Sequence, residues 1–186
     1  MQNKNHNNKD MHEKRRHKRE LHTEIELSEE AILSEVAGIV SNTVDGLEGE
    51  TDLHHVRDVL EGLNREIVTT EILNRFRDVV NILYPYTKRR LQGGILSAEC
   101  GNSHGGYVLC LKTSTERSST TMSYLQSAVK EYIVCSVVGK WFDVTIPTSK
   151  LSATWVARAE EARNNIVTSM TPYNANEIRV RPSMFY

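Results

Sequence analysis

The chain has 186 residues, of which 25% are charged and 39% hydrophobic, with a formal net charge of −1. That length suits one domain with arms, and that composition describes a globular protein rather than a disordered one. No apolar run reaches the roughly 18 residues that cross a bilayer, so a membrane-spanning helix is not expected.

The near-zero net charge conceals an asymmetry. Residues 1–20 hold seven Lys/Arg (Lys4, Lys9, Lys14, Arg15, Arg16, Lys18 and Arg19) against three acids, a net +4. Residues 171–186 hold Arg179 and Arg181 against Glu177, a net +1, which leaves −6 on residues 21–170. Basic ends on an acidic body point to ends that dock on an acidic neighbour. The start is polar and has no apolar signal region, and Cys100, Cys110 and Cys135 are an odd number. Synthesis in a reducing, intracellular compartment is expected.

In chain order, residues 1–27 read as a basic N-terminal arm, rich in Asn, His, Lys and Arg. A first helix is expected from the cap Ser28, with Glu29 and Glu30 in its first turn and Ile32, Val36, Ile39 and Val40 as its stripe. Asp45-Gly46 closes it. A second helix is predicted from Thr51 or Asp52 through Val56, Val59, Leu60 and Leu63. A third follows Thr69 or Thr70, with Ile72, Leu73, Phe76, Val79, Val80 and Leu83 at helical spacing, and Pro85 ends or kinks it.

The Gly-Gly pairs at 93–94 and 105–106 then break the helical rhythm. β-prone pieces at 95–99 and 107–112 predict a short hairpin or flap within about 93–115. The stretch "YLQSAVKEYIVCSVVGKWF" at 124–142 is the densest apolar segment and belongs to a long helix from about Met122 to Val144. It is dry nearly all round, which requires cover on several sides. Pro147 breaks the chain, and a last helix runs from about Lys150 to Ser169 with Leu151, Trp155, Ala159, Ala162 and Ile166 on one face. The two last helices are expected to pack as an antiparallel pair, with Trp141 and Trp155 largely buried. The fold class is therefore mainly α. A bundle of four to five helices over 28–170 carries a β flap, between extended arms at 1–27 and 171–186.

Chemical motifs are sparse. "CGNSHGG" lacks the Gly-Lys-Ser/Thr ending of a phosphate loop. Cys100, His104 and Cys110 lack a fourth ligand at zinc spacing, and no cofactor or metal is expected. Cys135 sits in the most apolar helix, where a thiol packs rather than reacts. No nucleophile elbow is present, Glu160-Glu161 reads as a solvated face, and no catalytic residue is assigned. A helix-turn-helix over 53–83 fits poorly, because Asp58 and Asn64 stand where apolar residues pack the turn.

Five segments carry a resemblance: "TTEILNRFRDVVNILYPY", "GGYVLCLKTS", "LQSAVKEYIVCSVVGKWFDVT", "SATWVARAEEARNNIVTSM" and "RVRPSMFY". Together they resemble the head–tail connector (portal adaptor, or head-completion) proteins of tailed bacteriophages, from about Thr70 to Tyr186. Residues 1–69 carry little of it. The resemblance implies a virion structural protein made in the host cytoplasm. It would form a ring, commonly of twelve copies, in the neck between capsid portal and tail. The implied partners are the portal protein, neighbouring copies and other neck or tail proteins, with no membrane. A subunit contact would also account for the dry helix at 124–142.

Two further expectations concern the ends. Residues 171–186 are a docking arm whose Arg179, Val180, Arg181, Met184, Phe185 and Tyr186 meet a partner. Lys14, Arg15, Arg16, Lys18 and Arg19 meet an acidic surface or packaged DNA, without base specificity. The competing reading is a DNA-binding or packaging-associated helical protein that acts through this basic arm. A third is a small helical scaffold with no phage role.

Overall fold

The computed structural model describes residues 21–47, 53–88, 98–99, 106–113 and 119–170. In chain order these form β1 (Leu21–Ser28), α1 (Glu29–Asp45), α2 (His54–Arg57), α3 (Gly62–Lys88), β2 (Ala98–Glu99), β3 (Gly106–Thr113), α4 (Ser119–Thr145) and α5 (Leu151–Met170). The fold is mainly helical, and a small antiparallel sheet of order β1–β3–β2 lies against the helices.

The first helix starts where its cap chemistry directs. Ser28 has extended backbone and its hydroxyl accepts from the Ala31 N–H at 3.3 Å, so one orphan donor of the first turn is answered. Glu29 and Glu30 place negative charge at the positive end of the helix. Ile32, Leu33, Val36, Val40 and Val44 are the buried face.

Residues 21–28 differ from the expectation of an arm reaching residue 27. They are a strand in register with β3 from Leu21↔Thr113 to Ser28↔Gly106. The strand is amphipathic, with Ile25 and Leu27 buried and Glu26 exposed between them. The flap expected at 93–115 is a hairpin in which Ala98 and Glu99 pair with Leu109 and Val108. β1 extends that hairpin into a third strand.

The second helix also differs. Only His54–Arg57 is helical, a single turn, and Val56 within it and Val59 just after it are buried. Leu60 and Leu63, assigned to the same stripe, are 40% and 75% exposed. The break lies at Gly62, whose φ of +47° lies in the left-handed region that L side chains avoid. The Asn64 side-chain amide donates to the Asp58 carbonyl at 2.8 Å and fixes the turn. α3 thus begins eight residues before Thr70 and continues past Pro85 to Lys88. Its stripe is as expected, with Ile72, Phe76, Val79 and Leu83 buried and Leu73 and Val80 partly so.

α4 is the centre of the molecule. Leu125, Ala128, Val129, Tyr132, Ile133, Val134, Cys135, Val137, Val138, Gly139, Trp141 and Phe142 are all buried. The positions from 132 to 135 cover a full helical turn, so no face there is wet. The cover comes from the same chain, since α5 packs along α4 most extensively and α1, α2 and α3 pack on it as well. A neighbouring subunit is therefore not needed to explain the dry segment.

α4 and α5 form the expected antiparallel pair across the turn at Pro147. They approach closely at Gly139, where an added Cβ would stand 3.4 Å from the Trp155 Cβ, the Val156 Cγ2 and the Val156 nitrogen. Ala159 and Ala162 keep that approach along α5, and Ile166 and Met170 complete its buried face. Trp141 is buried as expected. Trp155 is only partly buried: it packs on the edge of the core, and the Arg158 guanidinium stacks on its ring, 4.6 Å from the centroid.

The sheet is tied to the helices through Tyr107 on β3. Its ring lies 5.2 Å from that of Phe76 on α3, and its hydroxyl donates to Glu29 at the start of α1 at 2.9 Å.

Candidate functional site

The residues assigned to partner contact, Arg179, Val180, Arg181, Met184, Phe185 and Tyr186, lie outside the described residues. So do Lys14, Arg15, Arg16, Lys18 and Arg19 of the basic arm. Two concave surfaces and a few exposed apolar side chains lie on the outside of the described body.

The first surface is a groove of about 280 Å³ between the outer edge of β1, the start of α1 and α4. Leu27, Ala31 and Ile32 supply its apolar lining, and Glu26, Gln126 and Lys130 its polar rim. The Gln126 amide donates to the Glu26 backbone carbonyl at 3.2 Å. Lys130 is held at 2.5 Å by Glu35, so its charge is answered within the chain.

The second surface is a groove of about 300 Å³ where α3, α4 and α5 meet, with Arg75, Tyr132, Ser136, Lys140, Asp143 and Glu160 among its lining. Arg75 is the focus of a network on α3. Its Nε donates to Glu71 at 2.7 Å and its Nη1 to Asp78 at 3.0 Å. Burial works to lower the Arg75 pKa, but Glu71, the Tyr132 hydroxyl and Asp78 outweigh it and hold the value above the ordinary one. Lys140 is paired with Asp143 at 3.2 Å and Arg163 with Glu160 at 3.4 Å. Each cation of this groove already has its carboxylate, so the groove has no surplus charge with which to hold an anion. The Glu71–Arg75–Asp78 spacing was open to sequence reading as an i, i+4 and i, i+3 helix network.

Cys135 is buried, and burial first, then the charge of Glu131, pushes its thiol up to about 11. It stays protonated at neutral pH, which is the state of a packing group rather than a nucleophile. Among the described residues, no three His, Cys, Asp or Glu side chains gather as a metal site, and no helix is long and apolar enough to cross a membrane.

The helix-turn-helix geometry is absent from residues 53–83. Its first helix is one turn long, and Phe76 and Val79 of the second are buried rather than offered to a groove. Exposed Leu63 and Ile67, at 75% and 55%, lie one turn apart on α3, where a base-reading surface would need polar groups.

No protein family, curated protein or solved structure matches this chain.

Proposed function

We propose that the chain is a head–tail connector subunit of a tailed bacteriophage virion, which joins the capsid portal to the tail as a ring. One observation carries the reading: the two longest segments of resemblance, 125–145 and 152–170, coincide with α4 and α5, one closely packed antiparallel pair. The β element at 105–114 and the helix from 69 likewise fall on β3 and α3. A connector has to present a rigid body to identical neighbours and extended arms to different ones. The continuous core from Ile25 to Met170 supplies the body. The apolar and arginine-bearing residues of 173–186 are the arm that meets the portal or the next subunit.

Removal of residues 174–186 tests this. The connector reading places this segment outside the bundle, so the shortened chain is expected to unfold at the same denaturant midpoint. Its joining to portal-bearing heads is expected to be abolished. Undiminished joining, or a full chain that fails to join heads, would refute the reading.

The second reading, DNA association through the basic arm, rests on the net +4 of residues 1–20. It requires that removal of residues 2–19 weaken DNA binding, and that the full chain's binding fall steeply with added salt. DNA binding unchanged by the deletion would remove it.

A further inference from the structure

We propose that residues 177–181 of a second copy add as a strand to the edge of β1 turned away from β3. The choice of a second copy as the source rests on the ring reading above; the edge and its fit to the segment do not.

β1 is eight residues long and stands at the end of the order β1–β3–β2, with β3 as its one strand partner among the described residues. Alternate residues of an antiparallel strand turn their N–H and C=O groups to opposite sides. The Glu26 carbonyl accepts from Gln126 on α4, which marks residue 26 as turned away from β3. Residues 22 and 24 are in step with it and offer their backbone groups to the same side. A strand edge of this length is a template for a further strand. A groove of about 280 Å³ lies beside residues 26–28 of this edge.

The segment "EIRVRP" at 177–182 has the matching pattern. Its period is two, so Ile178 and Val180 fall on one face of an added strand and Arg179 and Arg181 on the other. In β1, Ile25 and Leu27 are buried, whereas Glu26 is exposed and residue 24 shares its phase. One antiparallel register satisfies every position, with residue 178 opposite 27, 179 opposite 26, 180 opposite 25 and 181 opposite 24. It continues the apolar face of the sheet with Ile178 and Val180. It sets Arg179 and Arg181 across from Glu26 and Glu24, the favourable charge pairing for neighbouring strands. The residues that meet the outward-turned groups of β1 are then the two arginines, both of which carry an N–H. Pro182 falls opposite residue 23, and its missing N–H lies on the new outer edge. That edge cannot readily accept another strand, so the addition stops at one. Among the described residues, the cost on the receiving side is the exposed Gln126 bond to Glu26, which the incoming Arg179 N–H replaces.

An edge at one end of a chain and a matching strand at the other make a head-to-tail contact, which closes into a ring when the rotation allows. The test uses full chains: wild type, Glu24→Arg with Glu26→Arg, and Arg179→Glu with Arg181→Glu, with mass followed by light scattering across concentration. The wild type is expected to rise above monomer mass and each variant to remain monomeric. An equal mixture of the two variants is expected to assemble again, because each arm then meets an edge of opposite charge. Amide exchange at residues 24 and 26 is expected to slow at least tenfold on assembly. The variant in the arm leaves β1 itself unaltered, so it serves alone if the β1 variant fails to fold.

A wild type that stays monomeric with fast exchange at β1, variants that assemble as wild type does, or a mixture that stays monomeric would each overturn the proposal. A monomer with slow β1 exchange that the Arg179/Arg181 variant loses would put the strand on its own chain, and so overturn the second-copy assignment. Head joining by the same proteins separates the two claims. Assembly through this edge without head joining removes the connector reading and leaves strand addition standing. Head joining unaffected by either variant, with no assembly, removes strand addition alone.

Discussion

The indole N–H of Trp141 donates to the backbone carbonyl of Val56 at 2.9 Å, in a buried setting 85 residues apart in sequence. This bond joins the last turns of α4 to the single-turn helix α2. Such a short helix has little stability of its own, since its nucleation costs more than one turn returns. The Trp141 ring and the neighbouring Val56 and Val59 hold it in place.

Replacement of Trp141 by Ala is expected to cost about 3–5 kcal/mol, through lost burial and the cavity left behind. Replacement by Phe keeps most of the ring but leaves the Val56 carbonyl without its donor. An intermediate loss of about 1–3 kcal/mol is expected. Denaturant unfolding measures both, and a loss below about 1 kcal/mol for Trp141→Ala would contradict the buried placement.

Gly139 and Gly62 are expected to respond differently to alanine. At Gly139 the three nearest atoms would lie 3.4 Å from a new Cβ, at the edge of ordinary contact. Alanine gains up to about 1 kcal/mol of helix propensity there, so its net effect is expected within about 1 kcal/mol of zero. Gly139→Leu has no room and is expected to cost about 1–3 kcal/mol. A well-tolerated Gly139→Leu would show that α4 and α5 separate easily.

At Gly62 nothing lies within 4 Å of an added Cβ, so space is not limiting. The φ of +47° is limiting, and Gly62→Ala is expected to cost about 1–2 kcal/mol. Gly62→Asn is expected to cost less, since Asn tolerates this region better. Equal midpoints for Ala and Asn would indicate that the turn relaxes to an ordinary backbone.

Cys135 confers a pH dependence of known sign. Its ordinary value is 9.0 and burial raises the folded value to about 11. Below about pH 9 both states hold the proton and the thiol contributes its full stability. Between these values the unfolded state alone releases it, so stability falls as pH rises. The wild type is expected to lose midpoint from pH 8.5 to 10.5 more steeply than Cys135→Ala, which lacks the thiol. Parallel pH curves for the two proteins would show that the thiol is not protected from water.

Much of this architecture is legible in local pattern. The four long helices follow from apolar residues at helical spacing, the start of α1 from Ser28 with its two glutamates, and the antiparallel pair from Pro147 between two such stripes. The hairpin of β2 and β3 follows from β-prone pieces around the glycines. All of these signals lie within one turn or a few turns of the residues they govern.

Other features depend on partners far along the chain. β1 has Leu21, Ile25 and Leu27 as its apolar beats between polar residues, and it is a strand because β3, some 80 residues later, pairs with it. The groove at its edge, and with it the candidate docking surface, was invisible for that reason. The helix expected through Val56 and Leu63 divides at Gly62 because Trp141 captures α2 while α3 packs separately. The dry face of α4 is filled by α5, α1, α2 and α3 of the same chain, which periodicity does not distinguish from cover by another subunit. Periodicity records that a surface is hidden from water; which surface hides it depends on long-range packing, because apolar contact is non-directional and any complementary face of the right size will serve.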